Sequence, residues 1–289
     1  MDGANSGSAL VSRVIEYIEE HLSETTDLTA IAGGVYYSKY HLHRLFTKTV
    51  GMTIHDYTQR RRLTEAAQLL VFSDAPILDI SFYAGYESQQ AFSAIFKTLY
   101  KMPPNQFRKN ALFYPLQLPI RLKSGFSLPC IIPAQWEIAF AGNRDIPCWM
   151  ELVRLVIDGF PCLYEEEYIQ VIRDYIRQRR ALIVKDNDIA VGVLLFSYDT
   201  GSINFWGIHP LYRKRGVPGA MLGRMMSDFL KDHNEISITT YREGDRADIG
   251  HRKTLKTLGF EERELLTEFG YPTQKFGICR KEKERFPSV

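Results

Sequence analysis

The sequence is poor in cysteine, has no long apolar run and carries almost no charge imbalance, and each absence excludes something. Its four cysteines, Cys130, Cys148, Cys162 and Cys279, form no C-x-x-C pair and none lies near a pair of histidines. That argues against a disulfide framework or a metal site and for reduced thiols. No apolar stretch approaches the ~20 residues that a membrane-spanning helix needs, so no membrane partner is expected. The N-terminal Met1 to Leu10 lacks the basic and apolar blocks of a secretory leader, and a cytoplasmic location is expected. Lys and Arg number 36 against 34 Asp and Glu, a formal net charge of +2. Residues 1–112 are balanced, with eleven basic and eleven acidic side chains. Any affinity of that half for a polyanion must come from where its basic residues sit rather than from a net field.

What is present is length and pattern. At 289 residues and 45% hydrophobic content the chain can build two ordinary domains. Residues 1–8 read as a frayed tail, and Ala9 to about Arg108 as helical. Val14, Ile15, Tyr17, Ile18 and Leu22 make the first apolar stripe. Asp27 reads as the cap of a short helix that Gly33 and Gly34 end. Ser38 caps a helix reaching Val50, which Gly51 closes. A longer helix is expected from Ile54 to Phe72, a short one from Asp74 and Pro76 to near Gly85, and another from Ser88 to Tyr100. Pro103 and Pro104 mark the turn after it. Residues 113–133, with Pro115, Pro119, Pro129 and Pro133, read as a linker. Beyond it strands and helices alternate. A strand lies in WEIAFAG, and helices lie at 148–157 and 165–178. Two or three strands span 181–210, joined by Asn-Asp and Thr-Gly turns. A helix runs from Pro218 to Asp232, a strand covers EISITTY, a helix runs from Gly250 to Leu258, and a last strand falls in TEFGYPTQKFGIC. This order predicts an α/β domain with a mixed sheet.

The strongest pattern is a quasi-repeat at an offset of 50 residues. GVYYSKYHLHRLFTKTVG begins at Gly34 and AGYESQQAFSAIFKTLYK at Ala84. The alignment pairs Tyr36 with Tyr86, Ser38 with Ser88, Leu42 with Phe92, Leu45 with Ile95 and Phe46 with Phe96. On a helical wheel Leu42, Leu45, Phe46 and Thr49 share one face, and Tyr40, His43, Arg44, Thr47 and Lys48 the other. In the second copy Phe92, Ile95, Phe96 and Leu99 face a core, and Gln90, Ser93, Ala94 and Lys97 face out. Each helix follows a short helix and a tight glycine-bearing turn, the layout of a helix-turn-helix whose second helix enters the major groove. Arg pairs geometrically with guanine and Gln with adenine. Lys48, Lys97 and the run Arg60, Arg61, Arg62 are expected near phosphates. His41 and His43 point in different directions and predict no metal.

The segments YSKYHLHRLFTKTVG, APILDISFYAGYESQQAFSAIFK and PPNQFR resemble the AraC/XylS family of transcription regulators over about residues 9–110. The resemblance implies an all-α, seven-helix, two-unit reader of double-stranded DNA. It assigns DNA contacts to Lys39, Tyr40, His43, Arg44 and Lys48 in the first unit and to Gln89, Gln90, Ser93 and Lys97 in the second. Ala94 stands where relatives often carry a long basic or polar side chain, so the second unit is expected to read bases more weakly.

In the second half the informative segment is NFWGIHPLYRKRGVPGAML, Asn204 to Leu222. A strand ending near Ile208, a turn carrying Arg213, Lys214 and Arg215, and a helix starting near Pro218 bring cationic side chains to a helix N-terminus, where backbone amides bind anions. A pyrophosphate fits such a turn. The segment, followed by HRKTLKTLGF from His251, is similar to the acetyl-coenzyme A loop of GNAT N-acyltransferases over about residues 135–282. That resemblance implies that Ile208 lines the pantetheine. It also implies that Arg213, Lys214, Arg215, Gly216, Val217, Gly219 and Ala220 surround the pyrophosphate. Pro218 stands where that family has Gly or Ala, and Leu255 where many relatives have an acid tyrosine. Tyr241, Glu243 and His251 are the remaining candidates for acid or base.

The expected architecture is thus an AraC-type helix-turn-helix domain over 9–112, a linker over 113–133 and a GNAT-like domain over 134–289. The expected function is a sequence-specific transcription regulator whose second domain binds acetyl-CoA and acetylates an unidentified small-molecule or protein amine. The alternative is the same regulator with an inactive second domain that senses a ligand. Expected partners are double-stranded DNA, acetyl-CoA, an amine substrate and RNA polymerase.

Overall fold

The computed structural model describes residues 3–24, 28–120, 136–156, 165–268 and 271–279. The chain divides into two compact units, Met1–Ile132 with Arg154–Leu163, and Pro133–Val153 with Tyr164–Val289.

The first unit holds seven helices among its described residues: α1 (Gly3–Glu20), α2 (Leu28–Val35), α3 (Lys39–Val50), α4 (Ile54–Phe72), α5 (Ile77–Tyr83), α6 (Gln89–Tyr100) and α7 (Pro104–Asn110). α1 begins at Gly3, inside the stretch read as a tail, and Asp27 lies outside the described residues. Equivalent local signals start α3 and α6. Ser38 Oγ accepts from His41 N–H at 3.3 Å, and Ser88 Oγ from Ala91 N–H at 3.2 Å. Gly51, at φ 90°, closes α3 with its N–H on Thr47 O. Pro103 and Pro104 do not mark only a turn, because Pro104 is the first residue of α7, where a missing N–H costs nothing.

Both short helices, α2 and α5, end in the same pair of backbone hydrogen bonds. Tyr36 N–H bonds Gly33 O and Tyr37 N–H bonds Ala32 O after α2; Gly85 N–H bonds Phe82 O and Tyr86 N–H bonds Ser81 O after α5. This is the Schellman closure, which places its central residue in the left-handed region. In the second turn that residue is Gly85, φ 77°; in the first it is Tyr36, φ 60°. Structurally, then, Tyr36 corresponds to Gly85 and Tyr37 to Tyr86, and the first turn is one residue shorter than the 50-residue alignment implied. An L-residue in this region costs about 1 kcal/mol. Gly33 and Gly34 do not end α2 but lie inside it. A Cβ on Gly34 would come within 2.5 Å of the Tyr17 ring, so this glycine allows close packing against α1.

The core joins the inner faces of α3 and α6 to α4. Leu42, Phe46 and Val50 are buried, as are Phe92, Phe96 and Leu99. Phe46 meets Tyr57 of α4 edge-on at 5.8 Å between ring centres, and Phe96 stacks on Tyr100 at 4.3 Å.

The run Arg60, Arg61, Arg62 does not face solvent. Arg60 and Arg61 are buried. Arg61 pairs with Glu19 of α1 at 2.9 Å and with Glu65 at 2.7 Å, and donates to Gln117 O at 3.1 Å. Arg62 donates to Leu22 O at 2.8 Å and to Glu24 O. The expected phosphate contacts are therefore replaced by internal ones, because α4 is enclosed on nearly every side. The start of the expected linker also belongs to this packing. Leu116 and Gln117 N–H groups donate to Thr64 Oγ1 at 3.0 and 3.1 Å, and Ile120 N–H donates to Tyr57 Oη at 3.3 Å.

The second unit is a seven-stranded mixed sheet with helices. Its elements are β1 (Ile138–Phe140), α8 (Ile146–Val156), α9 (Glu165–Arg177), β2 (Ala181–Asp186), β3 (Ile189–Phe196), β4 (Ser202–Ile208), α10 (Val217–Arg224), β5 (Glu235–Tyr241), α11 (His251–Thr257), β6 (Glu261–Glu268) and β7 (Tyr271–Cys279). The strand order is β1-β2-β3-β4-β5-β7-β6. All neighbours are antiparallel except β4 and β5. Asn187, φ 53°, and Gly201, φ 63°, make the two expected turns. Where one last strand was expected there are two. β6, EERELLTE, is a largely exposed edge strand without an apolar run to announce it. The expected helix from Pro218 starts at Val217 and passes into a π-turn at Met225–Phe229. α10 lies close to the sheet because β3 carries Gly192, whose Cβ would fall 2.7 Å from Met221 Sδ.

Replacing Arg61 by alanine is expected to destabilise the first unit by about 3 kcal/mol, because it strands a partly buried Glu19 carboxylate. Urea unfolding of wild type and variant checks this, and a loss below about 1 kcal/mol would contradict it.

Candidate functional site

In the first unit the side chains that the resemblance assigned to DNA sit on α3 and α6, whereas Arg60, Arg61 and Arg62 of α4 are turned to internal partners. Lys39, Tyr40, His43, Arg44 and Lys48 are exposed on α3; Gln89, Gln90 and Lys97 are exposed on α6, and Ser93 is half-buried beside the exposed Ala94. Thr47, assigned to the outer face of α3, is half-buried instead, with its hydroxyl oxygen buried. The helix between the two units, α4, has 19 residues and so spans about 28 Å. One turn of duplex is ~34 Å. Sequence reasoning missed the aromatic residues that precede α3. Tyr36 is 89% exposed and Tyr37 is also exposed, its ring 5.9 Å from that of His41. Tyr40 is exposed as well, and the Lys39 ammonium lies 5.4 Å from its ring centre.

In the second unit, β4 pairs with β5 only at Ser202–Ser237 and Ile203–Ile238. Beyond Ile203, β4 keeps its ladder to β3 as far as Ile208. The two parallel strands therefore part on the side where the Arg213 turn follows. Gly216 caps α10 at φ 78°, and a Cβ there would meet nothing within 4 Å. Lys214, Gly216 and Gly219 are exposed, Arg213, Arg215 and Ala220 half-buried, and Val217 and Pro218 buried. Ile208 is half-buried at the end of β4. Pro218 takes the second helical position rather than the first, still within the turn whose amides have no intrahelical partner.

The turn is braced from below. Tyr212 is buried and donates its hydroxyl to Asp186, and burial followed by that carboxylate pushes its pKa up. Trp136 Nε1 donates to Arg215 O at 2.8 Å. A trans peptide directs its N–H opposite to its carbonyl, so this bond aims Gly216 N–H away from Trp136. His209 is buried, and its Nδ1 accepts from Leu211 N–H at 3.3 Å. Burial, and then the nearby Arg213 charge, push its pKa from 6.5 down to about 4.

Of the three acid–base candidates, the structure brings two together. Tyr241 ends β5 with its ring centre 5.9 Å from that of His251. His251 N–H is held by Asp248 Oδ1 at 2.7 Å, and Arg252 Nη1 donates to Tyr241 O at 2.9 Å. Glu243 is exposed on the loop after β5. Leu255 is buried in α11 and offers no proton. An open cleft of about 510 Å³ lies beside them, lined by Gly244, Asp248, Arg252, Lys253, Lys256 and Thr257. No group of three or more potential metal ligands occurs among the described residues.

Two capped helices, each preceded by a short helix and a Schellman turn and each with a polar outer face, define the first unit as a double helix-turn-helix DNA-binding domain. The helix-turn-helix domain family matches residues 31–110. Over 108 residues the chain is 33% identical to the multiple antibiotic resistance protein MarA of Escherichia coli, covering 37% of this chain and 85% of MarA. It is 43% identical over 98 residues to the HTH-type transcriptional regulator YbfP of Bacillus subtilis, covering 34% of this chain and 33% of YbfP. The chain belongs to the AraC-type helix-turn-helix family. A GNAT-family acetyltransferase of Bacillus cereus covers 52% of the chain at 16% identity and a TM-score of 0.40, a level at which likeness carries no argument about activity.

The buried neutral His209 generates a pH dependence. Its folded pKa lies below its unfolded one, so protons bind the unfolded chain first as pH falls. The contribution of His209 to the stability of the second unit is therefore expected to be complete above pH 6.5 and to be lost progressively down to about pH 4, in total about 3 kcal/mol. His209→Asn should flatten that slope in denaturant unfolding measured across this window; an unchanged slope would contradict the assignment.

Proposed function

We propose that the chain is a sequence-specific transcription regulator that inserts α3 and α6 into successive major grooves of double-stranded DNA. The observation that carries this is the pair of outward polar faces, one on each side of α4, within one compact unit. On α3, Arg44 presents the guanidinium fork that matches guanine, with His43 and Tyr40 beside it. On α6, Gln89 and Gln90 supply adenine-type amides, Ser93 adds a short donor, and Ala94 leaves the middle of the face bare. Lys39, Lys48 and Lys97 are placed to neutralise phosphates. RNA polymerase is the partner that a bound regulator of this kind would address.

For the second unit we infer an acetyl-coenzyme A site between β4 and the head of α10. The donor set fits a pyrophosphate: a cationic turn, first-turn amides and a glycine cap with open space above it. Arg213, Lys214 and Arg215 would offset its charge, the amides around Gly216, Val217, Gly219 and Ala220 would hold its oxygens, and Ile208 would border the pantetheine arm. Bound acetyl-coenzyme A would supply an activated thioester carbonyl. Tyr241, His251 and Glu243 are the groups on hand to take a proton from an amine or give one to a leaving thiolate. A second reading, a ligand sensor without turnover, is favoured by two residues. Pro218 removes one first-turn N–H, and Leu255 puts no acid at the position in α11 where many GNAT-family members carry a tyrosine.

Arg44→Ala should abolish sequence-specific shifting of the chain's own promoter fragment; full retention would sink the DNA-reading assignment. Titration calorimetry with acetyl-CoA should give a saturable heat, and no heat at millimolar ligand would remove both readings of the second unit. With binding in hand, thiol release in the presence of a panel of amines separates catalysis from sensing.

A further inference from the structure

The two Schellman turns of the first unit do the same job with different residues. The second uses Gly85 at φ 77°, as steric rules demand; the first holds Tyr36 at φ 60°. No packing explains the choice, because the Tyr36 side chain is 89% exposed. A strained backbone that carries a bare ring, in a chain that uses glycine at the equivalent turn, asks for a partner outside the chain. The position says which. Tyr36 lies two residues before the Ser38 cap of α3, and the exposed Lys39 and Tyr40 follow that cap directly. It is therefore an exposed ring at the N-terminal entrance to the helix proposed to read DNA.

We propose that Tyr36 is a DNA contact: its ring packs on a deoxyribose and its hydroxyl donates to a phosphate at the rim of the groove that α3 enters. This inference rests on the DNA-reading assignment of α3. A backbone contact of this kind carries no sequence information, and an uncharged hydroxyl releases no counterion. Tyr36 should thus behave unlike both Arg44, a base reader, and Lys48, a charged phosphate contact.

The test uses the full chain and two duplexes of about two helical turns: one selected by the wild-type protein from a random pool, and one of scrambled sequence. Tyr36→Gly removes the strain, so the thermal midpoint of the first unit should rise by roughly 5 °C. Affinity for both duplexes should fall by the same factor, about tenfold, with the salt dependence unchanged. Tyr36→Phe, which keeps backbone and ring, should lose about threefold on both. Lys48→Ala should lower the salt slope by about one. A Tyr36→Gly protein that is more stable and binds both duplexes as well as wild type overturns the proposal. So does a loss confined to the selected duplex, which would make Tyr36 a base reader. Should Arg44→Ala also leave selective binding intact, the failure belongs to the assignment of α3 rather than to Tyr36.

Discussion

The first unit depends on one buried guanidinium. Arg61 sits in the middle of α4 and reaches α1 through Glu19, its own helix through Glu65, and the chain after α7 through Gln117 O. Tyr57 and Thr64 lie on the same face of α4, four residues before and three after. Tyr57 donates to Glu19 at 2.8 Å and accepts from Ile120, while Thr64 accepts from Leu116 and Gln117. A buried ion pair contributes little net stability, since desolvation offsets most of the attraction. What these groups do is tie α1 and residues 116–120 to α4, the helix that lies between α3 and α6 in the chain.

The outer faces of α3 and α6 are unequally equipped. α3 carries Arg44, His43, Tyr40 and two lysines; α6 carries amides and one lysine around Ala94. The asymmetry extends to the turns that set each helix, where Gly85 is relaxed and Tyr36 is not. In the proposed reading this would divide the labour, with α3 discriminating bases and α6 securing the second groove.

Much of this was legible because it is written locally. Ser38 and Ser88 precede apolar periods and cap helices where a short acceptor side chain must. Gly51 closes α3, and the 50-residue repeat exposed the two inner faces. What was not legible is what tertiary contact decides. Arg60, Arg61 and Arg62 look like a surface run until carboxylates and carbonyls from distant segments enclose them. Gly34 looks like a helix stop, yet it is a contact point for Tyr17 inside the helix. Residues 113–120 look like linker because two prolines interrupt them, while Thr64 and Tyr57 tie their amides down. In the second unit the buried strands β2 and β3 announced themselves, as did the half-buried β5. β6 did not, since an exposed edge alternates charged side chains and shows no apolar period. Of the acid–base candidates, the approach of Tyr241 to His251 is a property of the fold and not of their ten-residue separation.

The central claim is that one chain lays two reading heads on one side of a duplex. Hydroxyl-radical footprinting of the full chain on a selected site tests it most directly. Two protected backbone segments are expected on the same face, one helical turn (~34 Å) apart, with base changes tolerated better under α6 than under α3. A single protected groove, or two on opposite faces, would contradict it.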